Sequence, residues 1–556
     1  MVFVATAAAF ILDVAWLVSS GIIVWIVVSG GGQFPLAGHI VRVRSVSNPL
    51  IVWSAIAILR LLVFRRVPFL TRRQWPIDCL ESRCESWCRR VSDALTHLTP
   101  AGARRAMLTL VIVVTVVKLA NAAFYPGFFS GDDVEIHEMT FATLFGWDWS
   151  AWNLRSAFYP MTFIYPIQAL LTTLGITDTE PLVFAGRAVV AVLSSLTLWL
   201  VYRVGADLSS PGVGATAAIM LGLHRLHVTF GGSELPRPIA SLFIVAAFLC
   251  LIPRRVSLVR AAIAGMLLAI GGALRFGELV FVVPAIVTLL ASGSRAAAAV
   301  LVMAFVVVAS TVLGLADFWY WGSPFYSLHN IVQYTLVDRL SSRGYESFLY
   351  YAMLLTAWTS VPIALFAILG ARSSWQVTVW WVIPLIALSF LPHKEPRYVI
   401  ALLPFVCLGA ALGLRRFLSA RDAHALPWRS STVAALTVVL CVGGVLLEVG
   451  GWRFRKPHAG LDLARFVREH GCERGVAFEQ LWAVGGRLYL RTCGPVIDVG
   501  GPRPPHTTDL MRAIGSSEWI LLRQPLRADE RAMLQSAGVQ EVRGAPGASY
   551  VVMRRE

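Results

Sequence analysis

Charge is what this 556-residue chain has least of: Asp, Glu, Lys and Arg make up 14% of it, against 57% hydrophobic residues. Mean hydropathy is +0.67. A soluble chain of that composition would expose large apolar patches to water, and a disordered one needs more charge and fewer apolar residues. Both classes are excluded. Acids are the scarcer charge, 32 against 48 bases, a formal net of +16. In so apolar a chain that excess fits arginines that fix orientation in a bilayer rather than a nucleic-acid face. Cysteine is sparse, eight residues, so there is no disulfide scaffold. Internal repeats and low-complexity tracts are lacking too, and with them the paired halves that many transporters carry.

What is present is a series of helix-length apolar runs, which predicts a polytopic α-helical membrane protein rather than a barrel. Candidate spans lie near 4–28, 49–64, 106–124, 157–174, 182–203, 211–229, 236–252, 258–274, 277–292, 296–315, 347–369, 375–391, 398–414 and 432–452. The first reads as a retained helix rather than a signal peptide. It has no basic start, carries Asp13 mid-run and lacks a clear small-residue cleavage site.

Arginine placement sets the orientation. Residues 60–105 carry ten arginines against four acids, so this loop should be cytoplasmic, with Arg254, Arg255, Arg295, Arg372 and the Arg415–Arg429 group. Residues 125–156, 316–346, 392–397 and everything after 453 should lie outside. Seven candidate spans separate the first two outer loops, and an odd number cannot return to the same side. Either 157–174 crosses only partly, or 258–292, with Arg275 and Glu278 at its centre, is one broken excursion.

After the last span, short alternating patterns predict a small α/β domain over 456–556. Leu461–Glu469, Asp509–Ile514 and Ala528–Ser536 read as helices. Gly475–Phe478, Pro495–Val499, Trp519–Leu522 and Tyr550–Met553 read as strands. On an oxidising side, Cys472 and Cys493 either pair, closing a loop of about 20 residues worth ~3 kcal/mol, or stay as two buried thiols. Cys79, Cys84 and Cys88 lack zinc-knuckle spacing and a nearby fourth ligand. They read as ordinary thiols on a cytoplasmic helix, with palmitoylation as the alternative.

The chemistry-bearing stretch is Gly131-Asp-Asp-Val-Glu-Ile-His-Glu138, five ionisable side chains in seven residues directly after a span. Orientation rules do not call for acids there. Adjacent carboxylates repel, which raises one pKa and suits proton acceptance near neutrality. A solvated acidic loop is the plain alternative, and His137 with the acids as a metal site is a weaker one. Trp147, Trp149 and Trp152 follow, ahead of Arg155 and Tyr159. They form either an aromatic belt or a platform for an amphipathic ligand. A second cluster, Pro392-His-Lys-Glu-Pro-Arg-Tyr398, is basic on the outer side, against the orientation rule. His393, Lys394 and Arg397 would suit a phosphate, with an ion pair to Glu395 as the structural alternative.

These residues together resemble glycosyltransferase family 22, the GT-C mannosyltransferases. Gly131–Glu138, Gly146-Trp-Asp-Trp and Leu154-Arg-Ser-Ala-Phe-Tyr-Pro160 resemble the family's first lumenal loop. His393-Lys-Glu-Pro-Arg397 matches its His-Lys-Glu-x-Arg motif. Asp317-Phe-Trp-Tyr-Trp-Gly322 with Asn330 resembles its Asp-x-x-Tyr-Tyr-Gly and downstream Asn, and Arg275 sits where the family has an Arg late in a span. Ser130-Gly131 replaces the family's His-Pro, and Asp133 its Glu. The likeness spans roughly 106–415, behind an extra N-terminal hairpin and basic loop over 1–105.

The resemblance implies a GT-C catalytic module over 106–455 and inverting transfer of a sugar from a polyprenyl-phosphate donor to an acceptor hydroxyl outside the cytoplasm. The implied sugar is mannose. Asp132 is the implied base with Asp133 beside it, and His393, Lys394 and Arg397 hold the donor phosphate. His137, Trp147, Trp149, Arg155, Tyr159, Arg275, Tyr320 and Asn330 would bind substrate. No metal or cofactor is implied beyond the lipid-linked co-substrate. The partners are that donor, a lipid or glycan acceptor and the membrane, with no nucleic acid. The expected location is the inner or plasma membrane, or the endoplasmic reticulum in a eukaryote. A different donor sugar (a pentose or aminoarabinose) stays open. So does a transporter or flippase that uses Asp13, Arg187, Arg275 and Glu278 as a polar path.

Overall fold

The computed structural model describes residues 2–29, 32–36, 39–43, 52–53, 56, 86–94, 97–124, 127–147, 151–253, 255–340, 345–422, 430–454, 459–479, 485–499, 507–544 and 550–555. The chain forms two compact units, each assembled from segments far apart in sequence. One is Met1–Leu110, Leu198–His227 and Arg343–Trp452; the other is Val111–Thr197, Val228–Ser342 and Arg453–Glu556.

Among the described residues, four helices are long and apolar enough to cross a membrane: Pro100–Ala123, Thr179–Leu208, Arg295–Trp321 and Pro396–Ser419. Shorter apolar helices account for most of the other expected spans. The span expected at 49–64 lies almost wholly outside the described residues, as do Cys79 and Cys84, whereas Cys88 is a buried free thiol.

In the first unit, Val361–Gly370 packs against Leu403–Asp422. The latter is preceded by a 3-10 turn, Pro396–Leu402, whose proline fixes the chain's entry. Strand β1, Gly32–Leu36, pairs antiparallel with β2, His39–Val43. The sequence reading had no hairpin there.

In the second unit, Leu258–Leu274 lies close along Arg295–Trp321. A Cβ on Gly265 would come within 2.3 Å of the Leu301 carbonyl oxygen, so small side chains set the approach, as is usual between membrane helices. The outer face of Arg295–Trp321 exposes Met303, Val306, Val307 and Leu315, apolar surface that lipid rather than water would cover. Of the two segments in doubt, 157–174 forms one short helical run and 258–292 is interrupted. Over 157–174 a π turn, Pro160–Ile164, is followed by Tyr165–Thr173. Together they rise about 20 Å, short of the ~30 Å hydrocarbon core. Over 258–292 the chain is extended at Arg275 (φ −153°, ψ 120°) and passes through the 3-10 turn Phe276–Phe281 before Val282–Ala291.

The C-terminal part is the expected α/β fold. Its sheet runs β4–β3–β5–β7–β6, from β3 (Val476–Phe478), β4 (Val496–Asp498), β5 (Trp519–Arg523), β6 (Val539–Gly544) and β7 (Tyr550–Arg555). Strand β3 is parallel to β4 and β5, while β7 is antiparallel to β5 and β6. Side chains alternate between two cores, as period-2 strands require. Val476, Phe478, Trp519, Leu521 and Val552 meet the helix Ala459–Glu469, and Ala477, Ile520, Leu522 and Val551 meet Thr507–Ser516 and Ala528–Ser536. The first core continues onto Val134 and Phe141 of the helix Gly131–Phe145 and onto Leu182 and Val183 of Thr179–Leu208. This domain therefore supports the acidic helix directly. Cys472 and Cys493 form a disulfide, their Cα atoms 4.9 Å apart.

Candidate active site

The acidic stretch folds as a helix, Gly131–Phe145, entered from an extended Ser130. Asp132 and Asp133 occupy its first turn, where carboxylates meet the positive end of the helix dipole. It ends at Gly146 in the left-handed region (φ 67°), where a side chain would be strained. Three- and four-residue spacing sorts the charges by face. Asp132, Glu135, Ile136 and Met139 line a cleft, whereas Val134 and Phe141 point into the α/β core.

That cleft opens to solvent and is also lined by Arg155, Tyr159 and Arg275. Arg155 forks between two carboxylates: Nε donates to Glu135 Oε2 at 2.6 Å, and a terminal nitrogen pairs with Asp132 Oδ1. Glu135 Oε1 accepts the Trp152 amide at 2.6 Å, and Trp321 Nε1 donates to the Arg155 carbonyl at 3.1 Å. Burial pulls the Arg155 pKa down, but Asp132 and then Glu135 outweigh it and raise it above the usual value. Of the five ionisable side chains at 132–138, only Asp132 keeps substantial exposure, 26%. Asp133 is fully buried, with Oδ2 accepting the Phe129 amide at 3.1 Å, and does not line the cleft.

Behind the cleft lies a second polar network. Gln168 Nε2 donates to the Leu182 carbonyl and to His137 Nδ1, each at 3.0 Å. Nδ1 therefore accepts, and the imidazole proton sits on Nε2, facing Glu234 Oε1 at 3.4 Å. Glu234 is ion-paired with Arg187, which donates to the Gly127 carbonyl at 2.8 Å and lies over the Phe128 ring. Tyr159 donates to the Glu234 carbonyl oxygen at 2.6 Å, joining this network to the cleft wall. Burial lowers the His137 pKa against the pull of Glu234, so the ring is neutral near pH 7. Burial raises that of Glu234, but Arg187 and His137 outweigh it and bring it below the usual carboxylate range.

The basic cluster, in the other unit, is held by its own surroundings. His393 Nε2 lies 3.1 Å from Glu395 Oε1, and Arg397 pairs with Glu395 Oε2. Lys394 Nζ donates to the carbonyls of Glu346 at 2.9 Å and Leu391 at 2.5 Å. The ion pair weighed as an alternative is thus formed.

Of the residues expected to bind substrate, Arg155, Tyr159 and Arg275 meet at the cleft with Asp132. His137 lies in the network behind it, and Trp147 packs on Phe141 in the α/β core instead of forming a platform. Tyr320 packs beside Met139, Ala151 and Ala157. Asn330 is on the helix Tyr326–Val332, where Asp317 accepts the Ser327 amide at 2.8 Å. Trp149 lies outside the described residues. Glu234 and the partner role of Glu135 escaped the sequence reading. A lone acid between two apolar runs, as in Ser233-Glu-Leu-Pro236, is the signal that marks the first. Of the charges weighed as a transport path, Arg187 is paired with Glu234, and Glu278 with Arg237 at 2.9 Å.

A sequence model of the Alg9-like mannosyltransferase family matches residues 109–463. No curated protein matches the sequence. Among solved structures, the chain is similar to ArnT from Cupriavidus metallidurans bound to undecaprenyl phosphate, with 14% identity and a TM-score of 0.55. That match covers 80% of this chain and 97% of that one, and is a likeness of fold. The Archaeoglobus fulgidus oligosaccharyltransferase tethered with an acceptor peptide matches at 11% identity and TM-score 0.48, over 75% of this chain and 69% of that one. The arabinofuranosyltransferase AftD from Mycobacteria matches at 18% and 0.46, over 81% and 40%.

Proposed function

The chain belongs to the Alg9-like mannosyltransferase family, and we propose that it transfers mannose from a polyprenyl-phosphate donor to an acceptor hydroxyl, with inversion, on the extracytoplasmic side. The observation that carries this reading is Asp132, the partly exposed carboxylate of the acidic helix, held by Arg155 at the edge of the cleft. Asp132 accepts the acceptor's hydroxyl proton while that oxygen attacks the anomeric carbon. The carbon–oxygen bond to phosphate breaks, its electron pair leaves with polyprenyl phosphate, and a β-linked donor gives an α-linked product. Asp133, buried and capping Phe129, is given no proton to move. Family membership supports the donor class, and ArnT, a relative in fold, is the protein seen with undecaprenyl phosphate. The deciding assay incubates the purified protein with polyprenyl-phosphate mannose and acceptor-bearing membranes and measures release of polyprenyl phosphate. Turnover of a pentose donor alone would overturn the sugar assignment, and flux without bond cleavage would overturn the transferase.

We assign the donor phosphate to Lys394 and Arg397, with His393 beside them, so a bound phosphate would take over hydrogen bonds now made to Glu395 and to backbone carbonyls. The charge on the departing phosphate is then met by side chains, and no metal is given a role. Lys394→Gln should lower kcat/KM for donor about 10- to 150-fold, the worth of one charge-assisted contact of ~1.5–3 kcal/mol. Protein yield should hold. Glu395→Gln, which removes the competing carboxylate, should leave donor use largely intact. Equal loss of yield in both variants would mean that the cluster only joins helices.

The reading also places 106–455 as the transmembrane module and 456–556 outside the cytoplasm. The Cys472–Cys493 disulfide supports an oxidising side for the latter. A reporter fused after Glu556 should read as extracytoplasmic, and one inserted near Arg83 as cytoplasmic. A cytoplasmic C-terminus would sink this placement.

A further inference from the structure

Glu135 uses both carboxylate oxygens inside the protein: Oε2 takes Arg155 Nε and Oε1 takes the Trp152 amide, each at 2.6 Å. It is 4% exposed. A guanidinium is planar and rigid, so anchoring Nε also fixes where its terminal nitrogens point. In Arg155 the fixed direction is onto Asp132 Oδ1. Asp132 and Glu135 lie one helical turn apart on the same face, which lets one arginine span both. We propose that Glu135 is a positioning residue that aims Arg155 at Asp132 and, by taking half of that cation, keeps Asp132 basic enough to accept the acceptor's proton. This rests on Asp132 being the base.

The electrostatic argument is simple. Two carboxylates share one cation, so Asp132 is only partly neutralised by its partner. Replacing Glu135 by a neutral group removes a nearby negative charge and leaves the whole of Arg155 to Asp132, which makes Asp132 a weaker base. Removing Arg155 has the opposite effect. The other titratable groups around this trio are Tyr159 and Arg275 across the cleft and Tyr320 beside Glu135, with Asp133 next in sequence but buried off the cleft. None of them changes in either substitution.

The test compares acidic limbs of kcat/KM against pH, using polyprenyl-phosphate mannose and release of polyprenyl phosphate in membranes holding the full chain. Glu135→Gln should move the limb to lower pH by roughly one unit and lower the plateau rate about tenfold. Arg155→Gln should move it to higher pH, and Glu135→Asp, which keeps the charge, should leave it near wild type. A purely structural Glu135 would lose yield or rate with the limb unmoved, and that overturns the proposal. Should Glu135→Gln not accumulate, the Arg155→Gln shift decides alone, and no upward shift overturns the proposal. Activity surviving in Asp132→Asn is a separate result: it removes the base itself, whatever the limbs do.

Discussion

Asp132→Asn should insert and accumulate normally yet transfer sugar about 10²- to 10⁴-fold more slowly, the usual cost of removing a general base. The substitution is nearly isosteric. Its amide oxygen can still accept from Arg155, so the ion-paired corner of the cleft keeps its shape, but the amide cannot take a proton from an acceptor hydroxyl. The neighbouring carboxylate supplies the contrast. Asp133 is fully buried, with Oδ2 receiving the Phe129 amide, so Asp133→Asn should act on yield more than on rate. Rates and yields measured for both variants in one membrane preparation separate the two roles. If Asp132→Asn stays within a few-fold of wild type while Asp133→Asn accumulates and is inactive, the base is the wrong neighbour. If both remain active, this helix is not catalytic.

How much of this was legible in the sequence depended on range. Local patterns read well: Leu461–Glu469 is the core of the helix Ala459–Glu469, and Ala528–Ser536 forms as expected. Strand β6 was missed because Val-Gln-Glu-Val-Arg-Gly is an edge strand, polar enough to read as loop. The break around Arg275 was legible as a position of suspicion, since charges inside an apolar run mark a discontinuity. The site was legible as a motif order but not as an arrangement. Five ionisable residues within 132–138 look like one cluster on paper, and helical geometry puts Asp132 and Glu135 at a cleft and buries Asp133, His137 and Glu138 away from it. Trp147 read as part of an aromatic belt or a platform, and past the turn at Gly146 it packs against the α/β core. Arg187 and Glu234 are 47 residues apart, a pairing that no local pattern announces.

That pair carries the second large effect. Arg187→Met should cost ~3–5 kcal/mol of stability, because it leaves Glu234 buried, charged and without its principal partner. Glu234 is 0% exposed, and the His137 ring lies 3.4 Å from it. Burial favours the neutral ring, so His137 replaces little of the lost cation. The variant should show poor yield and a lowered unfolding transition in detergent. Adding Glu234→Gln should restore much of the loss, since swapping a whole buried pair for neutral groups is often close to neutral. Acid provides an independent check. The Glu234 pKa is lowered by folding, so its contribution is present above the usual carboxylate range and lost as pH falls through the folded value. His137 adds to the same trend, because its folded pKa is also lowered and the unfolded chain binds its proton first. The double variant should therefore be less acid-sensitive than wild type but not insensitive, with His137 supplying the remainder. Losses that simply add, with no recovery in the double variant, would show that Arg187 and Glu234 are not energetically coupled and that the network behind the cleft is held by packing alone.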